Sequence, residues 1–190
     1  MSKQKKNKRL PEPLARKHRA RKRLVQALYQ MHYNDMTAKV VIEQFLEEQD
    51  FAKVDTDFFK SALKYIETNR EEIESHIDPH LGREKNSLGA VEYAVLLMAT
   101  YELLQHIETP FKVVINEAIL MATEFGGEGG HTFVNGVLTK VAAATRKAEI
   151  KAQGWRIKEF DLIQLINERC QSITEGTELG IGDDAAILKP

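Results

Sequence analysis

Leu88-Gly-Ala-Val-Glu-Tyr-Ala-Val-Leu-Leu-Met-Ala-Thr-Tyr-Glu-Leu-Leu104 is the stretch on which the fold turns. At about 100° per residue, Val91, Val95, Leu96, Leu97, Met98, Leu103 and Leu104 point all around the helix axis instead of lining one stripe. A helix that is apolar on every side is buried on every side, so this one belongs in the middle of a helical core. Glu92, Thr100 and Glu102 interrupt the run, and nowhere does the chain hold the unbroken apolar length of roughly 18 residues that a membrane span needs.

Helical patterning continues in both directions from this segment. Upstream, residues 16–34 place Leu24, Ala27, Leu28 and Met31 on one face, before the turn signal Asn34-Asp35. Thr37 can cap a second helix with Val40, Val41, Phe45 and Leu46 on its apolar side, and Asp55 or Thr56 opens a third with Phe59, Ala62, Leu63 and Ile66 at helical spacing. Ile73 and Ile77 mark a fourth, ended by Asp78-Pro79 and Gly82. Downstream, Val114, Ala118, Met121, Ala122 and Phe125 form a stripe over 112–125. A glycine-rich breaker, Gly126-Gly-Glu-Gly-Gly130, precedes a last helix over 131–146. No alternating β-branched run intervenes, so residues 16–146 read as an all-α domain of about seven helices. Residues 147–158 read as a polar linker. Beyond it, Leu162, Leu165 and Ile166 share a face of a short helical stretch, and 178–188 reads as strand, glycine turn and strand.

Charge is strongly divided along the chain. The first 23 residues hold eleven Lys and Arg against Glu12 alone, out of 27 basic and 28 acidic residues in the whole chain. A cationic head on an acidic body is the electrostatic footprint of a polyanion-binding protein, with nucleic acid the first candidate. Residues 1–15 are expected to be a basic, flexible tail in which Lys3, Lys5, Lys6 and Lys8 add salt-sensitive attraction. The head lacks the apolar stretch of a secretory signal. Cys170 is the only cysteine, so neither an internal disulfide nor a multi-Cys metal site can form. The expectation is a cytoplasmic protein.

Arg16, Arg19 and Arg23 fall within about 60° of one another on a helix, beside the Leu24/Leu28/Met31 stripe. Such arginines can grip phosphates and stack on bases while the helix docks through its other side; a merely solvated basic face fits the spacing equally. Phe133, at the margin of the Val134/Val137/Leu138/Val141 stripe, stands in the first turn after the glycine loop. It can stack a base next to free backbone N–H groups, or fold back as a hydrophobic cap. Glu102 shares the azimuth of Val91 and Val95, so it is expected to be partly buried and structural, partnered by Asn116 or a backbone N–H. No catalytic Ser/His/Asp, Cys/His or phosphate-loop arrangement occurs in the first 150 residues, so neither enzymatic activity nor a cofactor or metal is expected.

Ala20-Arg-Lys-Arg-Leu-Val-Gln-Ala-Leu-Tyr29, Phe45-Leu-Glu-Glu-Gln-Asp50, Val91-Glu-Tyr-Ala-Val-Leu-Leu-Met-Ala-Thr-Tyr-Glu-Leu103, Pro110-Phe-Lys-Val-Val-Ile-Asn-Glu-Ala-Ile119 and Phe133-Val-Asn-Gly-Val-Leu138 closely resemble the bacterial NusB transcription antitermination family, in unbroken order over 16–146. The resemblance implies two packed three-helix bundles and no catalysis. It implies binding, together with NusE (also a small-subunit ribosomal protein), to the boxA element of nascent ribosomal RNA, within an RNA polymerase antitermination complex. By motif, Arg19, Arg21 and Arg23, with Arg16 preceding them, match the arginine-rich RNA-binding start, Phe133 matches an RNA-contacting aromatic, and Glu92 matches a position at the NusE interface. Two features depart from the family pattern. The loop Glu128-Gly-Gly-His-Thr132 lacks a basic residue near its His, and the lysine-rich extension before Arg16 is longer.

The end of the chain resembles something else. Lys158-Glu-Phe-Asp-Leu-Ile163 and Leu179-Gly-Ile-Gly-Asp-Asp-Ala-Ala-Ile-Leu188 are similar to the opening of thiamine-monophosphate kinase, ThiL, in which paired aspartates hold magnesium and nucleotide phosphates. Asp183 and Asp184 match those aspartates, but residues 159–190 are far too few to build the pocket, so a truncated fusion without kinase activity is expected. Two alternatives remain open: the RNA-binding part of a bifunctional NusB–kinase polypeptide, or that of a ribosomal RNA methyltransferase.

Overall fold

The computed structural model describes residues 10–153, and every one of their regular elements is helical. Lys3 to Arg9, the helical stretch and strand–turn–strand expected after residue 158, and the Asp183-Asp184 pair lie outside the described residues. The described residues form eight α-helices: α1 Glu12–Tyr33, α2 Ala38–Glu48, α3 Thr56–Thr68, α4 Arg70–Ile77, α5 Ala90–Gln105, α6 Phe111–Phe125, α7 Gly130–Thr145 and α8 Lys147–Ala152. Two single 3-10 turns, Asp78–His80 and Lys85–Ser87, join α4 to α5.

α1 starts at Glu12, one turn before the expected Arg16. Pro11 sits at the cap and Pro13 in the first turn, where a missing N–H costs nothing, and Glu12 complements the helix dipole. α2 is capped by Thr37 Oγ1, which accepts from Val40 N, and α3 by Asp55, which accepts from Phe58 N at 3.1 Å. Ala38, Val41, Ile42 and Phe45, at positions i, i+3, i+4 and i+7, form the buried stripe of α2. Val40, expected inside, is 47% exposed.

α1, α2 and α3 pack on one another, and so do α5, α6 and α7; the α1–α5 contact joins the two trios, with α4 lying against α3, α5 and α7. α5 is buried continuously from Tyr93 to Leu103. Removing side chains such as Leu96, Leu97 and Met98 from water contributes about 1.5–3 kcal/mol each, which makes α5 the hub on which α1 and α7 are positioned.

The stretch after Arg146 is helical where a linker was expected. α8 forms because its residues close a tertiary circuit. Buried Arg146 donates to the carbonyls of Glu102, Leu103, His106 and Ile107 at 2.6 to 3.2 Å, satisfying the last turn of α5. It also pairs with Glu149 Oε2 at 3.1 Å, while Glu149 Oε1 accepts from Phe111 N at the start of α6, again at 3.1 Å. Glu149→Ala is therefore expected to cost about 1 kcal/mol; a denaturation midpoint identical to the parent's would show that α8 is not stitched to the domain.

Candidate nucleic-acid interface

The cationic residues of α1 divide into two sets by azimuth. Arg16 and Arg19 border the loop before α3, and Arg23 follows on the same azimuth of α1. Arg16 Nη2 donates to Val54 O at 3.0 Å, and Arg19 donates Nε to Lys53 O and Nη2 to Glu12 at 2.8 Å. Arg23 Nη1 donates to Gln26 Oε1 at 3.2 Å. Each of these arginines spends one or two of its five N–H donors on the protein, which sets its direction and leaves the rest of the fork for a ligand. Arg16 is exposed and Arg19 and Arg23 are half-buried. Lys53, exposed on the adjoining loop, adds to the same positive field.

The second set faces α5 and α6. Lys17 Nζ donates to Thr109 Oγ1 at 3.2 Å, and Lys22 pairs with Glu124 at 2.6 Å. His18 Nδ1 lies 2.7 Å from Glu117 Oε2. Arg21, grouped with its neighbours by the sequence, is not at the surface: it is 3% exposed. Its Nε and Nη2 donate to the two oxygens of Glu102 at 2.7 and 2.8 Å, and Nη1 lies 3.3 Å from Glu117. The partner of buried Glu102 is thus an arginine of α1, not Asn116 or a backbone N–H. Burial alone would push the Glu117 carboxyl up, but His18 and Arg21 together hold it below the usual carboxylate range. This buried cluster locks α1 to α5 and α6 and fixes the direction in which Arg16, Arg19 and Arg23 face outward.

A second surface gathers at the start of α7. Gly129 has φ 78°, a left-handed turn that a side chain would strain, and it brings the chain into the first turn carrying Phe133. Phe133 is half-buried, and the Arg83 guanidinium carbon lies 3.9 Å from its ring centroid. Arg83 Nη2 in turn pairs with Glu92 Oε2 at 2.6 Å. Phe133 and Glu92 are thereby brought together through Arg83, a residue the sequence reading did not single out because nothing local marks it. Among the described residues no bond or ring contact joins this trio to Arg16, Arg19 or Arg23.

Among the described residues no group of three or more His, Cys, Asp and Glu is placed to hold a metal ion; His76 and His80, four apart in sequence, have no third ligand. No helix there is long and apolar enough to cross a membrane.

The family model described as NusB family matches residues 18–143. The transcription antitermination protein NusB of Xanthomonas axonopodis pv. citri (strain 306) is 43% identical over 136 residues, which cover 72% of this chain and 86% of the relative. That of Xanthomonas campestris pv. campestris (strain B100) is 44% identical over 136 residues, with the same coverage. The solved structure of T. maritima NusB superposes with a TM-score of 0.62 at 29% identity, covering 76% of this chain and 99% of that one. The match extends through the buried Arg21–Glu102 pair, the hub helix and the turn that carries Phe133: the chain belongs to the NusB family.

Proposed function

We propose that this protein is a transcription antitermination factor that binds the boxA element of nascent ribosomal RNA together with NusE, within the RNA polymerase antitermination complex, and contributes binding and not catalysis. The observation that carries the reading is the docked arginine face of α1. Arg16, Arg19 and Arg23 are aimed by bonds to Val54, Lys53, Glu12 and Gln26, and a guanidinium held by one edge keeps its other donors for phosphate oxygens. In this reading those three arginines contact the RNA, and Arg21 acts from inside by holding the helix. Phe133 supplies a stacking group, Glu92 serves the NusE side, and the basic residues before Leu10 add attraction without specificity. Family membership supports the antitermination role, and the basic face supports RNA as the ligand.

Titration of a boxA-like single-stranded RNA, with and without NusE, over a salt series tests it. Binding should tighten with NusE, and log affinity should fall linearly with log salt. Within the same assay Phe133→Ala should weaken binding by about 1–3 kcal/mol at unchanged thermal stability. A variant that loses stability but keeps its RNA affinity would make Phe133 a cap of α7 and nothing more.

A further inference from the structure

Arg83 lies between the two 3-10 turns that precede α5, and its guanidinium has three different surroundings. Beneath it, at 3.9 Å, is the Phe133 ring. At its edge is the Glu92 carboxylate, 2.6 Å away. The remaining side is open, for the Arg83 side chain is 39% exposed.

Glu92 is itself held from two directions. Its Oε2 accepts from Gly89 N at 3.1 Å, closing the first turn of α5. Its Oε1 lies against the start of α7, so close that a Cβ on Gly130 would stand 3.1 Å from it. A carboxylate wedged between two helix starts and 16% exposed is a firm anchor for the guanidinium plane. An arginine gripped at its edge and backed by an aromatic ring presents a flat, cationic, weakly hydrated face, and nucleobases stack on such faces.

We propose that the base-stacking surface at the start of α7 is the outer face of Arg83, with Phe133 as the layer beneath it and Glu92 as the positioning residue that holds the plane. This rests on the RNA-binding reading above and adds an RNA contact to it. It also gives Glu92 a role in RNA binding that needs no partner protein.

The test uses the full chain without NusE and a boxA-like RNA carrying 2-aminopurine at successive positions. Arg83→Lys keeps the charge and discards the plane, so it should lose affinity by about fivefold or more, lose the 2-aminopurine quenching, and keep the parent's salt slope. Arg83→Ala should lose at least as much. Glu92→Gln should also weaken binding, although removing a negative charge would by itself strengthen attraction to RNA; unchanged thermal unfolding of Arg83→Lys shows that the fold is intact.

Parental affinity and quenching in Arg83→Lys would reduce Arg83 to a point charge and overturn the proposal. Tighter binding by Arg83→Ala would do the same, by making the guanidinium a cover over Phe133. Parental binding by Phe133→Ala would remove the stack from the interface while leaving the arginine face of α1 standing. An unmutated chain that binds no RNA would end the RNA reading and this proposal together.

Discussion

Arg21→Ala should lower the free energy of unfolding by about 3–5 kcal/mol, seen as an earlier denaturation midpoint at unchanged slope. The substitution strips both hydrogen bonds from a Glu102 side chain that is wholly inaccessible to solvent, and leaves Glu117 with His18 alone. Most of the loss is the cost of an uncompensated buried carboxylate, not the worth of the pair. Changing both partners together, Arg21→Met with Glu102→Leu, should therefore be less damaging than Arg21→Ala. The pH dependence carries the same signature. Glu117 titrates below its ordinary value in the folded state, so its contribution is complete above about pH 4.3, the unfolded value, and fades as pH drops through the lower folded one. Arg21→Ala should flatten that acid limb, since one of the two groups depressing Glu117 is gone. A loss of RNA affinity with stability intact would instead return Arg21 to the binding surface.

How far the sequence alone reveals this arrangement depends on the range of the interactions. α5 is legible because all-round apolarity is a local pattern with one physical meaning, and α3 because Phe59, Ala62, Leu63 and Ile66 repeat cleanly; all four are fully buried. α2 is legible in part: Val41 and Phe45 are buried as expected, but the buried stripe runs through Ala38 and Ile42 and leaves Val40 outside. α8 escapes notice since six residues with Ile150 as their one large apolar side chain have no periodicity to show, and the long-range bond from Phe111 N to Glu149, with the Arg146–Glu149 pair, ties their helix to the domain. Arg21 is the instructive case. It stands three and seven residues before Leu24 and Leu28, on the buried stripe, and that spacing is plain in the sequence. Its membership in a basic run hides the pattern, even though Glu102 reads as a buried acid in need of a partner. Arg83 offers no comparable signal, because a loop arginine stacked on a ring fifty residues later is visible only in three dimensions.

Replacing Arg16, Arg19 and Arg23 together by Ala should weaken RNA binding by about a hundredfold or more at low salt, on the scale of ~1–3 kcal/mol per good contact. The salt slope should fall by roughly one for each phosphate that is no longer neutralised. Stability should move little, by about 1 kcal/mol at most, because these side chains are not in the core and their protein partners, the carbonyls of Lys53 and Val54 and the side chains of Glu12 and Gln26, lie at its edge. The corresponding triple Lys variant separates charge from geometry. It should keep nearly the parental slope while binding less tightly, since an ammonium cannot grip a phosphate bidentately. A triple Ala variant that binds like the parent would mean that the basic face is only solvated and that the attraction arises elsewhere in the cationic head. The contrast with Arg21 is what gives the experiment its force: on one helix, within eight residues, three arginines should cost affinity at little cost in stability, while the fourth should cost stability first.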